Sequence, residues 1–205
     1  MPNETKKANL KVSALIILAS SSPRRTELLL DYNIQHEVVP SKAKEISFHP
    51  NGPLALVTEN AKRKAMEVAE RFPDRFVLGA DTIVSLKEKV FGKPVDLNEA
   101  EQMLMCLSGK THLVSTGVCV ICKKNGYSEA KVESSEVSFG ELSPATIQKY
   151  FKFVNPLDKA GSYALQTKPE LIVKKFTGSH SNVVGLPMEL IVSWMKELLP
   201  NFKNC

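Results

Sequence analysis

The segment FVLGADTIVSL, residues 76–86, is apolar on both side-chain parities except at Asp81. A strand with one wet face alternates apolar and polar residues. A strand apolar on both parities is buried on both faces, as in a central strand covered by helices on either side. The segment therefore predicts an α/β protein. It also raises the question of what a carboxylate does inside it. An unpaired carboxylate is costly to bury, so Asp81 reads as a metal ligand or a general base. The bland alternative is that it lies at an exposed strand end beside Thr82.

The flanking sequence supports an alternating architecture. ALIILA (14–19) reads as a first buried strand, followed at once by Ser22-Pro23, an N-cap and first-turn proline. That helix carries Leu28 and Leu29 inward and ends near Asn33. HEVVP (36–40) is a short extended segment, and 41–52 is a polar loop. A long helix spans about 53–72, with Leu54, Val57, Ala61, Ala65, Val68 and Phe72 forming one apolar stripe. KVFGKP is a short strand or turn. DLNEAEQMLMCLSG is a helix capped by Asp96, with Glu99 three residues on and Gly109 as its stop. Two long strands follow, joined at Asn125-Gly126. Ser143-Pro144 starts a further helix, ELIVKKF (170–176) is a strand, and LPMELIVSWMKELL is a closing amphipathic helix. The order predicts a mixed β-sheet flanked by helices.

The chain has 205 residues, a formal charge of +5 and 43% hydrophobic residues, enough for one sizeable domain. The mild basic excess suits an anionic ligand. Its paired lysines and arginines are not interleaved with aromatics, as a single-strand stacking platform requires, so no stable nucleic-acid partner is expected. No apolar run approaches the roughly 20 residues of a membrane span. Residues 1–9 read as a disordered leader and 10–205 as a single domain. Cys119 and Cys122 resemble half a zinc site, but no second pair follows at suitable spacing. They read as strand cysteines, and the four cysteines together as reduced thiols with a cytoplasmic address.

The second chemical feature is ASSSPRR (19–25). A strand, a serine-rich turn and a helix N-terminus form a ready anion site, through free backbone N–H groups and the hydroxyls of Ser20 and Ser22. Arg24 and Arg25 at the positive end of a helix are unfavourable by themselves but can bind phosphate oxygens bidentately. Solvated surface arginines are the competing reading. Lys64 flanks the apolar stripe of the long helix, and Lys93 sits in a tight turn. Asp158-Lys159-Ala160-Gly161 precedes Tyr163 and Gln166, while Gly178-Ser179 and Gly185 punctuate the C-terminal region. Together these suggest loops around something small. The four histidines show no metal spacing, and there is no Walker loop or GxGxxG.

LASSSPRRTELL, GADTIV, GKP, LSGKTHLVSTGV, DKAGSYALQ and GSHSNVVGLP, in this order, resemble the Maf family of nucleotide pyrophosphatases. The resemblance implies a Maf/ITPase-like fold with two lobes around a central cleft. It implies hydrolysis of a nucleoside triphosphate between the α and β phosphates, with a divalent cation, magnesium or manganese. Proposed family roles are removal of noncanonical nucleotides and restraint of septum formation; a homodimer is a family expectation. On the matching positions, Asp81 corresponds to the catalytic carboxylate and general base. Arg24 and Arg25 correspond to the phosphate-holding pair, Lys64 and Lys93 to lysines of the same pocket. Glu45 falls where an acidic residue helps hold the metal, together with Asp81. Arg24, Thr82 and Gln166 agree with the branch resembling dTTP/UTP pyrophosphatases rather than the one resembling 7-methyl-GTP pyrophosphatases. A glutamine amide has the donor and acceptor to pair with a pyrimidine edge. Ala164 and Thr167 replace the glycines usual around that glutamine, reshaping the base pocket, and Lys44 stands where an acidic residue is common. A non-catalytic nucleotide-binding regulator of cell division is the alternative class.

Overall fold

The structure, a computed structural model, describes residues 15–198. The leader and the start of the domain at residue 10 lie outside the described residues.

Among the described residues, seven strands form one mixed sheet. β1 (Ile16–Leu18) pairs in parallel with β2 (His36–Val38) and with β3 (Val77–Leu86). β3 continues antiparallel to β5 (Thr111–Cys122), β5 to β6 (Tyr127–Phe139), and β6 to β7 (Val173–Thr177). β4 (Lys89–Phe91) folds back on the far end of β3. The helices are α1 (Pro23–Asp31), α2 (Gly52–Arg71), α3 (Leu97–Leu107), α4 (Pro144–Phe151), α5 (His180–Val184) and α6 (Met188–Leu198). The mixed α/β architecture expected from FVLGADTIVSL is the one observed.

Strand parity sorts the core into two faces. Ile16, Leu18, Leu78, Ala80, Val118 and Val120 pack with Leu29 of α1 and Ile191, Trp194 and Met195 of α6. Ile17, Val77, Cys119 and Ile121 point the other way, onto Ala61, Ala65 and Val68 of α2. The distal ends of β3, β5 and β6 leave both groups and enclose a third cluster, where Val84, Val114 and Phe139 meet Leu104 of α3 and Ile147 and Tyr150 of α4. The three long strands thus run through two lobes, and Asp81-Thr82 falls at their junction.

Local signals explain the element ends. Asp96 Oδ1 accepts from Glu99 N–H at 2.8 Å, the cap that the spacing predicted, while Glu99 Oε2 reaches past the cap residue to accept from Val95 N–H at 2.7 Å. Gly126 adopts φ +70° in the β5–β6 turn, which favours glycine. Two expectations shift. ELIVKKF does not begin as a strand: Pro169–Leu171 form a turn of 3-10 helix after Lys168 at φ 48°, and β7 begins only at Val173. In α2 the stripe holds at Val57, Ala61, Ala65 and Val68, but Leu54 is half exposed and Leu56 and Asn60 are buried instead. Cys106 and Cys119 are free thiols; Cys122 is disulfide-bonded, which corrects the reading of all four as reduced. Among the described residues, no helix is long and apolar enough to cross a membrane.

Candidate active site

A cleft of about 680 Å³ opens at the lobe junction. Ser20, Ser22, Arg24, Arg25, Glu45, Lys64, Asp81, Thr82, Lys93 and Gln166 all line it. Residues as far apart in sequence as Ser20 and Gln166 are therefore brought to one cavity.

Asp81 is buried, at 7% exposure, and lies on the α2 face of β3, the same parity as Val77 and Gly79. Two side chains one helical turn apart on α2 reach it. Lys64 Nζ donates to Asp81 Oδ1 at 2.7 Å, and Asn60 Nδ2 donates to Asp81 Oδ2 at 3.2 Å. Lys64 Nζ also lies 2.7 Å from Glu45 Oε1, so one ammonium bridges two carboxylates. Burial pushes the Glu45 carboxyl up, but the hydrogen bond and charge of Lys64, aided by Lys93 and Arg25, hold it below its ordinary value.

α2 comes close enough for this because β3 and β5 carry glycines beneath it. A Cβ on Gly79 would lie 2.3 Å from the Ala61 carbonyl oxygen, and one on Gly117 2.6 Å from that of Val57. Only bare backbone fits there.

The SSSPRR turn is built differently from a capped helix. Ser22 occupies the N-cap position but its side chain caps nothing. Ser20 Oγ instead accepts from Ser22 N–H at 3.2 Å and from Arg25 Nη1 at 2.9 Å. Arg25 turns inward: its Nε donates to the Gly185 carbonyl at 2.8 Å and its Nη2 to Thr82 Oγ1 at 3.1 Å. Burial lowers its pKa. With three donors engaged, two of its five remain for a ligand. Arg24 points across the cleft, with Nη1 3.2 Å from Asp158 Oδ2. Asp158 also takes Lys159 Nζ at 2.6 Å; burial raises its carboxyl, and Lys159 and Arg24 together hold it low. The two arginines thus separate into a buried brace and a cleft-facing cation.

Lys93 lies at the exposed rim and Gln166 is exposed in the loop after Leu165. Buried Tyr163, whose hydroxyl meets His112 Nε2 at 2.8 Å, backs that loop. Sequence reasoning missed Asn60 and the cleft roles of Asp158, Lys159 and Gly185. Asp158, Lys159 and Gly185 were read only as turn signals around something small, and Asn60 had a legible signal as an amide beside the apolar stripe, four residues before Lys64.

The donor set suits a hard cation only in part. Among the described residues no three carboxylate, histidine or cysteine side chains converge. Glu45 and Asp81 offer oxygens, which magnesium and manganese favour. Magnesium is commonly held by one or two carboxylates plus substrate phosphates, and this pair fits that habit.

A family model described as Maf-like protein matches residues 15–198. The chain belongs to the Maf-like family. It is 44% identical over 182 residues to the dTTP/UTP pyrophosphatase of Bacillus cereus strain G9842, covering 89% of this chain and 94% of that protein. It is 43% identical over the same length and shares to the dTTP/UTP pyrophosphatase of Bacillus anthracis. In this Maf-like protein the six motifs of the resemblance all fall within the matched span.

Proposed function

We propose that the protein is a nucleoside triphosphate pyrophosphatase that hydrolyses dTTP and UTP to the monophosphate and pyrophosphate. The observation that carries this reading is the meeting, in one cleft, of the Asp81–Lys64 pair with the Ser20–Arg25 turn. The names of the relatives support the substrate class.

In this reading the triphosphate lies against the serine turn, where the first-turn N–H groups of α1, Arg24 and the spare donors of Arg25 neutralise its charge. Lys64 and Lys93 add cations on the opposite wall. Asp81 accepts a proton from the water that attacks the α-phosphorus, and the bond to the β-phosphate oxygen breaks to release pyrophosphate. Lys64 and Asn60 hold the two Asp81 oxygens in place for that task. Fixed cations aimed at the developing phosphoryl charge lower the barrier. A divalent cation held by Glu45 and Asp81 supplies further charge neutralisation on the phosphates. Thr82 is held by Arg25 and lies within hydrogen-bond distance of Thr116 at 2.9 Å; with Arg24 and Gln166 it sets the pyrimidine preference. A homodimer belongs to the same reading and rests on the family resemblance; a cytoplasmic address, expected from reduced thiols, is left resting on the free Cys106 and Cys119.

The test is pyrophosphate release from a panel of dTTP, UTP, CTP and 7-methyl-GTP with Mg²⁺ or Mn²⁺. The reading expects dTTP and UTP to lead, Asp81→Asn to lose most turnover while folded, and Gln166→Glu to reorder the panel. Near-parental turnover in Asp81→Asn would remove the general-base role. Release from none of the four nucleotides would overturn the function.

A further inference from the structure

Asn60 is 3% exposed on the face of α2 that packs against the sheet. An amide there is costly unless its hydrogen bonds are made, and three are. Its Oδ1 accepts from Ile46 N–H at 2.9 Å, and its Nδ2 donates to the Ile46 carbonyl at 3.0 Å and to Asp81 Oδ2 at 3.2 Å. The network fixes which way the amide points. A flipped amide would set its oxygen against both a carbonyl and a carboxylate.

Two consequences follow from that orientation. First, Asp81 is gripped on both oxygens by side chains of α2, Lys64 on one and Asn60 on the other, so its plane cannot turn. Second, Ile46 is paired through both its N–H and its C=O, as in a strand bridge. Ile46 belongs to the segment 39–51, which has no helix or strand until α2 begins, and its neighbour is Glu45. At its start the segment is tied to β1 by Val39 N–H on the Leu18 carbonyl at 3.0 Å; its other ties to α2 include Lys42 N–H on Glu67 Oε2 at 2.9 Å and the Glu45–Lys64 ion pair at 2.7 Å. Asn60 is the buried link that holds the Glu45 loop against α2.

We propose that Asn60 is a positioning residue for the reaction: one amide sets the plane of Asp81 and docks the Glu45 loop beside Lys64. The inference rests on the pyrophosphatase reading for its kinetic part and on geometry alone for its loop part. Asn60 touches neither the serine turn nor Gln166, so its effect falls on turnover rather than on nucleotide affinity.

Two near-isosteric variants separate the two tasks. Asn60→Leu removes every bond; Asn60→Asp keeps an acceptor for Ile46 N–H but loses both donations and sets a negative charge beside Asp81. Steady-state kinetics on the leading nucleotide and amide hydrogen exchange at Ile46 are measured for both. Asn60→Leu is expected to lower kcat by roughly tenfold or more with KM within about threefold, and to speed Ile46 exchange by roughly tenfold. Asn60→Asp is expected to lower kcat at least as far while Ile46 stays protected. Turnover within about twofold of parental in both variants, or a loss confined to KM, overturns the catalytic part. Unchanged Ile46 exchange in Asn60→Leu overturns the loop part. If the parental protein releases no pyrophosphate, the functional reading fails, and the exchange at Ile46 decides the inference by itself.

Discussion

Arg25 Nε donates to the carbonyl oxygen of Gly185 across 160 residues of sequence, at 2.8 Å. With its bonds to Ser20 and Thr82, the guanidinium braces β1, β3 and the turn after α5 around one side of the cleft. A lysine is a point charge and cannot span three acceptors in a fixed plane. Arg25→Lys is therefore expected to cost about 3 kcal/mol, a fall in Tm of roughly 10 °C for a chain of this size. Arg24→Lys keeps a charge in a half-exposed pair with Asp158 and should move Tm by no more than about 2 °C. Both variants raise KM for the triphosphate. Thermal unfolding beside steady-state kinetics checks the contrast; equal Tm losses would mean that Arg25 is not a brace.

Among the described residues, Lys64 is the cation within hydrogen-bond distance of both Asp81 and Glu45. Lys64→Met leaves two carboxylates facing one another without it, and turnover should fall by roughly 100-fold or more. The Glu45 carboxyl, now held low mainly by Lys64 against burial, should rise. A depressed carboxyl contributes stability above its unfolded pKa and loses it as pH falls through its folded pKa. The variant should lose that part of the acid dependence. A carbon-detected NMR titration of Glu45 reads the shift directly; a Glu45 that stays low would assign the effect to Lys93 and Arg25 instead.

The parts legible in sequence were those set by patterns of apolar residues and by local chemistry. The double-sided strand 76–86, the Asp96 cap and the Asn125-Gly126 turn each follow from residues close in sequence. Ser20, Ser22, Arg24, Arg25, Asp81, Thr82, Lys93 and Gln166 were named through the motifs they sit in, while Lys64 and Glu45 lie outside those motifs and were named by the family resemblance. The division of labour between Arg24 and Arg25 was not legible, because it depends on Gly185 and Asp158, more than 130 residues away. The start of β7 was misplaced because Pro169 and the left-handed Lys168 make a turn inside an apolar run. α5 was missed because five residues are too few for a periodic signal; its Ser179 cap on Asn182 N–H at 3.2 Å was the only cue.

Gly79 and Gly117 set how near α2 lies to the sheet, and hence how near Lys64 and Asn60 come to Asp81. In Gly79→Ala the new Cβ meets backbone, at 2.3 Å from Ala61 O and 2.7 Å from Ala65 N, so the helix must move rather than a side chain turn. The expected cost is about 2–3 kcal/mol. Turnover should fall by roughly 100-fold for a shift near 1 Å, even where folding is preserved at low temperature. Gly140→Ala meets nothing within 4 Å and is the control, with parental stability and kinetics. A Gly79→Ala protein with parental turnover would show that Asp81 does not depend on the approach of α2.

His112 supplies a pH-dependent stability separate from the phosphate chemistry. It is 2% exposed, its ring lies edge-on to Phe139 and Tyr163 at 4.7 and 5.5 Å, and burial lowers its pKa from 6.5 to about 4. Between those values the unfolded chain binds a proton that the folded one refuses. Stability is therefore complete above pH 6.5 and falls as pH drops toward 4. The full span corresponds to about 3 kcal/mol. His112→Phe removes the titration and the bond to Tyr163 together. It should lower Tm at pH 7.5, where Tyr163 is left without its partner, but flatten the decline between pH 6.5 and 4. Calorimetric unfolding of both proteins across that range tests the sign: parallel pH profiles would place the acid sensitivity on other groups, whereas convergence of the two curves toward pH 4 assigns it to His112.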